Sequence, residues 1–274
     1  MKRNMRVWDS ILLALLLVAP SLADEKAFDP AGSDAKAIEL VEAMQQALGG
    51  AEAWARVRYL RFDWVVERGG QRVAAVRHLW DRYDGRYRVE GTTREGKPFL
   101  TLCNVQTRAG NAWVDGKKLE GDELQKALQF AYGRYINDTY WLVQPMKLKD
   151  PGVHLGYAGR RELKSINYDV VHVWFDQVGL TPGDHYWVFI HPETRRIDRW
   201  AYFLEGYRDR GEPRLEAATA WDWRGWKQVG GVWLASDKVR DDGSMRIWFP
   251  VLRALERVRA EVFESPEAPL PGSN

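Results

Sequence analysis

Side chains that bind metals are few and scattered in this sequence. The five histidines are His78, His154, His172, His185 and His191. No two of them stand in a His-x-x-x-His or His-Glu-x-x-His spacing, which would place two ligands on one helix face. A pair six residues apart could share a strand face, but a turn begins at the second of them. We therefore predict no metal site and no bound cofactor.

Nucleophilic side chains give a similarly weak signal. Cys103 is the single cysteine, so an intramolecular disulfide is excluded. It lies among Phe99, Leu100 and Leu102, which predicts a small buried hydrophobic residue. A reactive thiol is the alternative. The sequence contains neither a Gly-x-Ser-x-Gly elbow nor a glycine-rich phosphate loop.

Two carboxylates lie beside tryptophans and are the candidates for acid–base chemistry. Asp63 precedes Trp64, and Asp222 stands between Trp221 and Trp223. The simpler interpretation is that each faces solvent from a strand or pairs with a nearby arginine. We predict that the chain is not an enzyme, although distant strands could still bring two such groups together.

Tryptophan is the unusual component of the composition. The chain has 14 tryptophans, which is many for one domain of this length. Several strands in the second half are apolar on both faces, as in the segment from His185 to Ile190. An antiparallel sheet with one wet face would alternate apolar and polar residues. This pattern predicts a sheet with a cavity or a helix on its second face; a closed sandwich or barrel without a cavity is the alternative.

Hydrophobic periodicity predicts the elements that position these residues. Helices are expected from Ser33 or Asp34 to Leu48, over 51–55 and over 121–143, with a break in the last near Gly133 or at residues 137–139. Strands are expected at 58–66, 72–80, 86–90, 99–105, 111–114, 154–159, 166–176, 184–191, 196–205, 215–225, 232–240 and 244–249. Residues 252–263 could be strand or helix, and the Pro-rich tail at 264–274 is predicted to be disordered.

The N-terminus has the pattern of a signal peptide over residues 1–23. Lys2, Arg3 and Arg6 precede an apolar run, Ile11–Val18, that is too short to span a membrane. Small residues lead to an expected cleavage after Ala23; an uncleaved anchor is the alternative. No cysteine lies at the cleavage site, so we predict a periplasmic protein without a lipid anchor. No later stretch is long and apolar enough to be a transmembrane segment.

The net charge of the chain limits the classes of binding partner that we expect. The whole chain carries a net charge of +2. Lys2, Arg3, Arg6 and Asp9 together contribute +2 to the predicted signal peptide, so the mature chain is near neutral. This balance argues against a nucleic-acid surface and against strong electrostatic docking on anionic lipid.

The stretch from Thr139 to Tyr157 links the helical segment to the second set of strands. It is aromatic at first, stops at Pro145 and turns at Asp150-Pro151-Gly152. An ordinary helix-to-strand connection would explain this pattern. The run Trp-Leu-x-x-Pro-x-Lys-Leu-x-Asp-Pro-Gly-Val-x-Leu-x-Tyr, from Trp141 to Tyr157, also resembles exported bacterial proteins of the LolA/LolB-like superfamily. The segments 47–54 and 168–175 fit the same resemblance.

The resemblance implies a mainly β protein with helices (α+β), in which a curved antiparallel sheet forms an open half-barrel. Helices would cover its concave face. Better-known members of the superfamily hold lipid or lipoprotein acyl chains there, and others bind regulatory proteins. We expect one such domain over residues 24–263.

The leading hypothesis is a periplasmic binding or carrier protein that holds a lipid, an acyl chain or a lipoprotein in an apolar cleft. Residues 121–148 would form a lid over it. The aromatic residues predicted to line cleft and lid are Phe62, Trp64, Trp80, Tyr135, Trp141, Trp174, Trp187, Trp200 and Trp221. The alternatives are a cell-envelope module that binds a protein partner and, with less support, an enzyme acting on envelope lipid or glycan.

Overall fold

The computed structural model describes residues 27–207 and 211–272. The signal peptide predicted at residues 1–23 lies outside the described residues. The helices are α1 (Ala35–Ala47), α2 (Gly50–Arg56) and α3 (Gly121–Lys147). The strands before α3 are β1 (Tyr59–Arg68), β2 (Gln71–Asp81), β3 (Arg86–Thr92), β4 (Pro98–Asn104), β5 (Gly110–Val114) and β6 (Lys117–Lys118). Those after it are β7 (Val153–Leu163), β8 (Ile166–Phe175), β9 (His185–Ile190), β10 (Ile197–Phe203), β11 (Thr219–Val229), β12 (Val232–Arg240), β13 (Met245–Trp248) and β14 (Leu252–Leu255).

The strands form one open antiparallel sheet. Its order is β6-β5-β4-β3-β2-β1-β13-β12-β11-β10-β9-β8-β7, and β14 pairs with β1 beside β13. The two halves of the chain therefore meet at the centre of the sheet, where β1 pairs with β13. The sheet does not close, because β6 and β7 lie at opposite edges. The predicted fold class, an open antiparallel half-barrel with helices, is confirmed.

Alternation along the strands separates two faces. We call the face covered by α1 and α3 the concave face and the other the convex face. In β1, Leu60, Phe62, Trp64 and Val66 belong to the main core on the concave face. Tyr59 packs into a smaller cluster on the other side. The main core is thus the contact between the sheet and its helices.

The helices α1 and α2 precede the sheet and are joined at Gly49. The sequence predicts the end of the first helix at this glycine. Gly49 has φ +119, and a Cβ at this position would lie 2.5 Å from the carbonyl oxygen of Gly231. Any side chain here would collide with backbone, in a conformation that glycine accepts readily. The turn at Gly49 therefore fixes α1 and α2 against the turn that precedes β12.

The third helix is continuous from Gly121 to Lys147, where the sequence indicated a break and a stop at Pro145. Burial of residues such as Leu128, Ala131, Leu142 and Val143 outweighs the weak helix propensity of this segment. The Thr139 hydroxyl donates to the Tyr135 carbonyl oxygen at 2.6 Å, which satisfies a side chain that would otherwise compete with the backbone. Within the described ranges, no helix has the length and apolar character needed to cross a membrane.

The C-terminal segment, predicted to be disordered from residue 264, packs on the convex face over its described part, 264–272. Ala268 and Leu270 are buried with Val262 and Phe263 against Tyr59 and Leu79. The guanidinium of Arg61 donates to the carbonyl oxygen of Pro271 at 3.2 Å. The segment covers outward apolar residues of β1 and β2, a role that its Pro-rich composition does not reveal.

Candidate ligand-binding site

The helix α3 runs from one edge of the sheet to the other across the concave face. It follows the edge strand β6 and precedes the opposite edge strand β7. On the way it packs on β4, β5, β12 and α1. The chain therefore places a single long helix where the sequence hypothesis expects the lid of an apolar cleft.

An aromatic group on β10 and β11 receives Trp141 of α3. The Trp141 ring centre lies 4.6 Å from that of Trp200, 4.9 Å from that of Trp221 and 6.2 Å from that of Tyr202. The rings meet edge to face, the arrangement that their quadrupoles favour. We call Trp200, Tyr202 and Trp221 the tryptophan pocket. In this structure a side chain of the protein itself fills it.

A second aromatic contact lies toward the other half of the sheet. Tyr135 of α3 packs edge to face on Trp80 at 5.2 Å and on Tyr87 at 5.5 Å. Burial raises the pKa of Tyr135 to about 12, so its hydroxyl stays protonated. Together, Tyr135 and Trp141 attach one face of the helix to both halves of the sheet.

Between these contacts lies a buried polar network. Tyr87 Oη lies 2.6 Å from His78 Nδ1, and His78 Nε2 lies 3.1 Å from Asp138 Oδ2. Arg134 pairs with the same carboxylate oxygen at 2.5 Å, and its guanidinium lies 4.2 Å from the Trp64 ring centre. We call Tyr87, His78, Asp138 and Arg134 the buried network.

The environment of the histidine in this network favours its neutral form. Burial lowers the pKa of His78, although the carboxylate of Asp138 opposes the shift. A neutral imidazole accepts a hydrogen bond at one nitrogen and donates at the other. Nδ1 therefore accepts from the Tyr87 hydroxyl, and Nε2 carries the proton beside the Asp138 carboxylate, close to it but without hydrogen-bond geometry. His78 and Asp138 are fully buried, so the network joins α3 to the sheet and does not face an open cleft.

Seven of the nine predicted site residues come together. Phe62, Trp64, Trp80, Trp200 and Trp221 lie on the concave face. Tyr135 and Trp141 lie on α3, where they face these residues. These seven residues therefore form one aromatic contact between the sheet and α3, and α3 fills the space where the sequence hypothesis expects a cleft.

Trp174 and Trp187 lie apart from the other predicted residues, on the convex face. Trp187 belongs to a cluster of buried apolar residues on the convex side of β8 to β11, which also includes Tyr168 and Val170. Trp174 lies on the same strand as Tyr168 and Val170, an even number of residues away, so it faces the same side. Both of their strands carry large apolar residues on both faces, and the polar residues of β8 occur at both parities, as Asp169 and His172 do. The sequence therefore did not show which face is which.

These two tryptophans belong to a row of stacked rings across β7, β8 and β9. Successive ring centres lie 5.5 Å apart from His154 to Trp174, 5.0 Å from Trp174 to His172 and 4.9 Å from His172 to Trp187. His172 Nε2 also lies 2.9 Å from His185 Nδ1. Burial, and then the neighbouring His185, lower the pKa of His172 to about 4.

The lowered pKa of His172 predicts that acid destabilises the fold. The unfolded chain binds a proton at this residue below about pH 6.5, whereas the folded chain does so only near its pKa of about 4. The contribution is therefore present above pH 6.5 and is lost as the pH falls toward 4. Melting temperatures between pH 7.5 and 4 should fall less steeply in His172→Gln than in the wild type. Equal slopes in the two proteins would contradict this assignment, because all other titrating groups are shared.

Several residues that build the site were missed by sequence reasoning. Asp138 belongs to the cluster that was interpreted as a helix break. Lys238 continues the alternation of the buried residues Val232 and Leu234 in β12, and this parity was the available signal. Its side chain is fully buried on the concave face.

Two surface depressions lie away from the concave face. The larger, about 360 Å³, is lined by residues that include Arg77, Glu90, Trp113 and Glu267. The smaller, about 220 Å³, lies beside the β1–β2 hairpin at Gly69 and Gly70. Neither contains any of the predicted site residues.

Comparisons with known proteins find one matching family model and several similar solved structures. A family of unknown function, DUF6503, matches residues 111–219. No curated protein sequence matches the chain. A structure of a DUF1329 family protein from Desulfovibrio piger is 11% identical, with a TM-score of 0.48, covering 84% of this chain and 96% of that one.

Two further structures bear on the sequence resemblance. A putative outer membrane lipoprotein-sorting protein domain from Vibrio parahaemolyticus is 10% identical, with a TM-score of 0.45, covering 83% of this chain and 96% of that one. A LolA superfamily protein from Nitrosomonas europaea is 10% identical, with a TM-score of 0.41, covering 80% and 96%. The resemblance found in the sequence is confirmed to this extent: solved structures similar to the chain include a LolA superfamily protein and a lipoprotein-sorting domain.

Proposed function

We propose that this protein binds a lipid or an acyl chain on the concave face, in the space that α3 fills here. The observation that carries the proposal is the insertion of Trp141 into the tryptophan pocket. The pocket accepts an apolar group that belongs to a separate element, the helix α3. An acyl chain has the same apolar character, and each buried CH₂ group contributes about 0.8 kcal/mol.

The helix has features that favour displacement. Gly121 at its start and Gly152 just beyond its end have φ of +51 and +75, conformations that glycine adopts readily. Pro145 lacks the N–H that would bond to the preceding turn, and Gly133 lowers helix propensity. Packing on the sheet therefore holds α3 in place more than its own helical stability does.

The concave surface also presents polar groups to a ligand. The buried indole nitrogens of Trp64, Trp80 and Trp200 have no hydrogen-bond partner among the described residues. Buried indole N–H groups usually find one. In the proposed complex these groups donate to ester or carboxyl oxygens of the ligand, which adds orientation to the apolar contact.

The carrier role and the periplasmic location are parts of the same proposal. They rest on the sequence pattern at residues 1–23 and on the amphipathic helix over an apolar sheet. In a carrier, α3 covers the aromatic surface when no cargo is bound. Such a cover keeps the aromatic side chains of the concave face away from water and so prevents aggregation.

Quenching by a brominated stearate tests the proposal, because bromine quenches tryptophan only in close contact. We expect strong quenching of the delipidated wild type and no quenching by ordinary stearate. Trp200→Phe should bind about tenfold more weakly, a loss of ~1.4 kcal/mol. Binding would be followed by the quenching titration itself.

Trp187→Phe is the matched control, since this tryptophan is equally buried but lies on the convex face. It should bind like the wild type. The proposal fails if the brominated lipid does not quench, or if the two variants lose affinity equally.

The protein-interaction alternative requires a free sheet edge or groove. The segment before α1 already forms hydrogen bonds with the first half of the edge strand β7. The Asp34 N–H donates to the Leu155 carbonyl oxygen at 2.7 Å, and the Tyr157 N–H donates to the Asp34 carboxylate at 2.7 Å. A pull-down that recovers one stoichiometric protein and no lipid would favour this alternative.

A further inference from the structure

Lys238 places an amine in the apolar core of the concave face. It lies on β12, paired across the sheet with Trp223 of β11 and Ile247 of β13. Both neighbours belong to the main core, and the Lys238 side chain is 0% exposed. The helix α3 packs on the same strand. The amine is therefore in the surface that the proposed ligand would contact.

The surroundings of the amine are mostly aromatic. Nζ lies 4.4 Å from the ring centre of Trp223 and 4.6 Å from that of Phe249. It donates one hydrogen bond, to the carbonyl oxygen of Ala235. An ammonium group has three N–H donors, so this bond leaves donor capacity unused.

No acidic side chain in residues 27–207 or 211–272 forms an ion pair with Lys238. Its sequence neighbour Asp237 points the other way and pairs with Arg246 at 2.7 Å. The buried arginines differ: Arg61 pairs with Asp63, and Arg88 pairs with Glu90. Burial lowers the pKa of Lys238 well below its usual range, opposed weakly by Asp237.

A buried lysine without a counter-charge is costly and rare. A methionine or leucine would fill the same space without the desolvation cost of an amine. An anion from a ligand would restore the charge and use the remaining donors. The two flanking rings would meanwhile contact the first methylenes of an attached chain.

We infer that Lys238 is the counter-ion for an acidic head group of the ligand, a carboxylate or a phosphate. The ligand class is then an anionic single-chain amphiphile, with its head at β12 and its chain along the tryptophan pocket. This inference rests on the proposed function, which concerns the apolar contact alone.

The test compares two ligands that share a chain and differ in the head. Oleate and oleyl alcohol would be titrated into the wild type, Lys238→Met and Lys227→Met by calorimetry. The wild type should bind oleate at least tenfold more tightly than oleyl alcohol. Lys238→Met should bind both at the level of the alcohol, while Lys227→Met, altered at an exposed lysine of β11, should match the wild type. A titration of the same three proteins with lysophosphatidate would show whether a phosphate head group binds more tightly than a carboxylate.

The outcomes separate this inference from the proposed function. An unchanged preference for oleate in Lys238→Met overturns the inference and leaves lipid binding standing. Failure of the wild type to bind either lipid overturns both. Retained binding of the alcohol by Lys238→Met shows that the variant is folded.

A second measurement needs no variant. The carboxyl carbon of isotope-labelled oleate, observed by NMR in the wild-type complex, should keep the shift of the ionised form down to about pH 5. A carboxyl buried without a counter-charge would protonate at a higher pH. Protonation of that kind in the wild type overturns the inference, even if Lys238→Met does not fold.

Discussion

Replacing Trp141 with alanine is expected to lower the free energy of unfolding by about 3–5 kcal/mol. The indole is buried and packs edge to face on Trp200 and Trp221, so truncation leaves a cavity at the centre of the contact between α3 and the sheet. Urea denaturation followed by circular dichroism measures the change. Hydrogen exchange should show the loss of protection concentrated in α3, because the sheet keeps its own hydrogen bonds.

Phe130→Ala is the matched control on the same helix. Its side chain is 43% exposed and contacts Phe99 at 5.6 Å. Its truncation should cost much less, about 1 kcal/mol or below. Similar losses in the two variants would mean that the tryptophan pocket does not anchor the helix.

Replacing Asp138 with alanine is the second large effect, with an expected loss of about 3–5 kcal/mol. The Asp138 carboxylate lies next to His78 of the sheet and forms an ion pair with Arg134, one helical turn away. Its removal leaves the guanidinium of Arg134 without its counter-charge in a buried site. Urea denaturation again measures the loss.

Two controls accompany this variant. Asp122→Ala removes an exposed carboxylate from the first turn of α3 and should cost at most about 1 kcal/mol. Apolar replacement of the ion pair, as in Arg134→Met with Asp138→Leu, should restore part of the stability, since no buried charge is left unpaired. If Asp138→Ala is as stable as Asp122→Ala, the buried network does not hold the helix.

Much of the fold was predictable because strand alternation and glycine turns are local signals. Leu60, Phe62, Trp64 and Val66 share a face through simple parity, and the structure places them together. The turn at Gly49 was marked by a double glycine. The resemblance supplied what alternation cannot, namely that these strands form one open sheet with a helix across it.

The candidate site was less predictable for reasons that lie in long-range contacts. Asp138 looked like a helix breaker because its partner, His78, is distant in the sequence. Pro145 looked like a stop because the packing that carries the helix past it comes from the sheet. The faces of Trp174 and Trp187 could not be assigned, since their strands carry large apolar residues on both faces and β8 has polar residues at both parities. The role of Lys238 could be recognised only after the structure showed which face of β12 is buried.

If the concave face binds a ligand as proposed, the attachment of α3 to opposite edges of the sheet would decide which ligands enter. A displaced helix remains tethered at both ends, so it competes for its own binding surface at an effective concentration in the millimolar range. A ligand must exceed that competition before it binds at all. Because each methylene adds about 0.8 kcal/mol, short chains fall below this threshold and long chains pass it. The covalent topology would thus select cargo by chain length, independently of any contact with the head group.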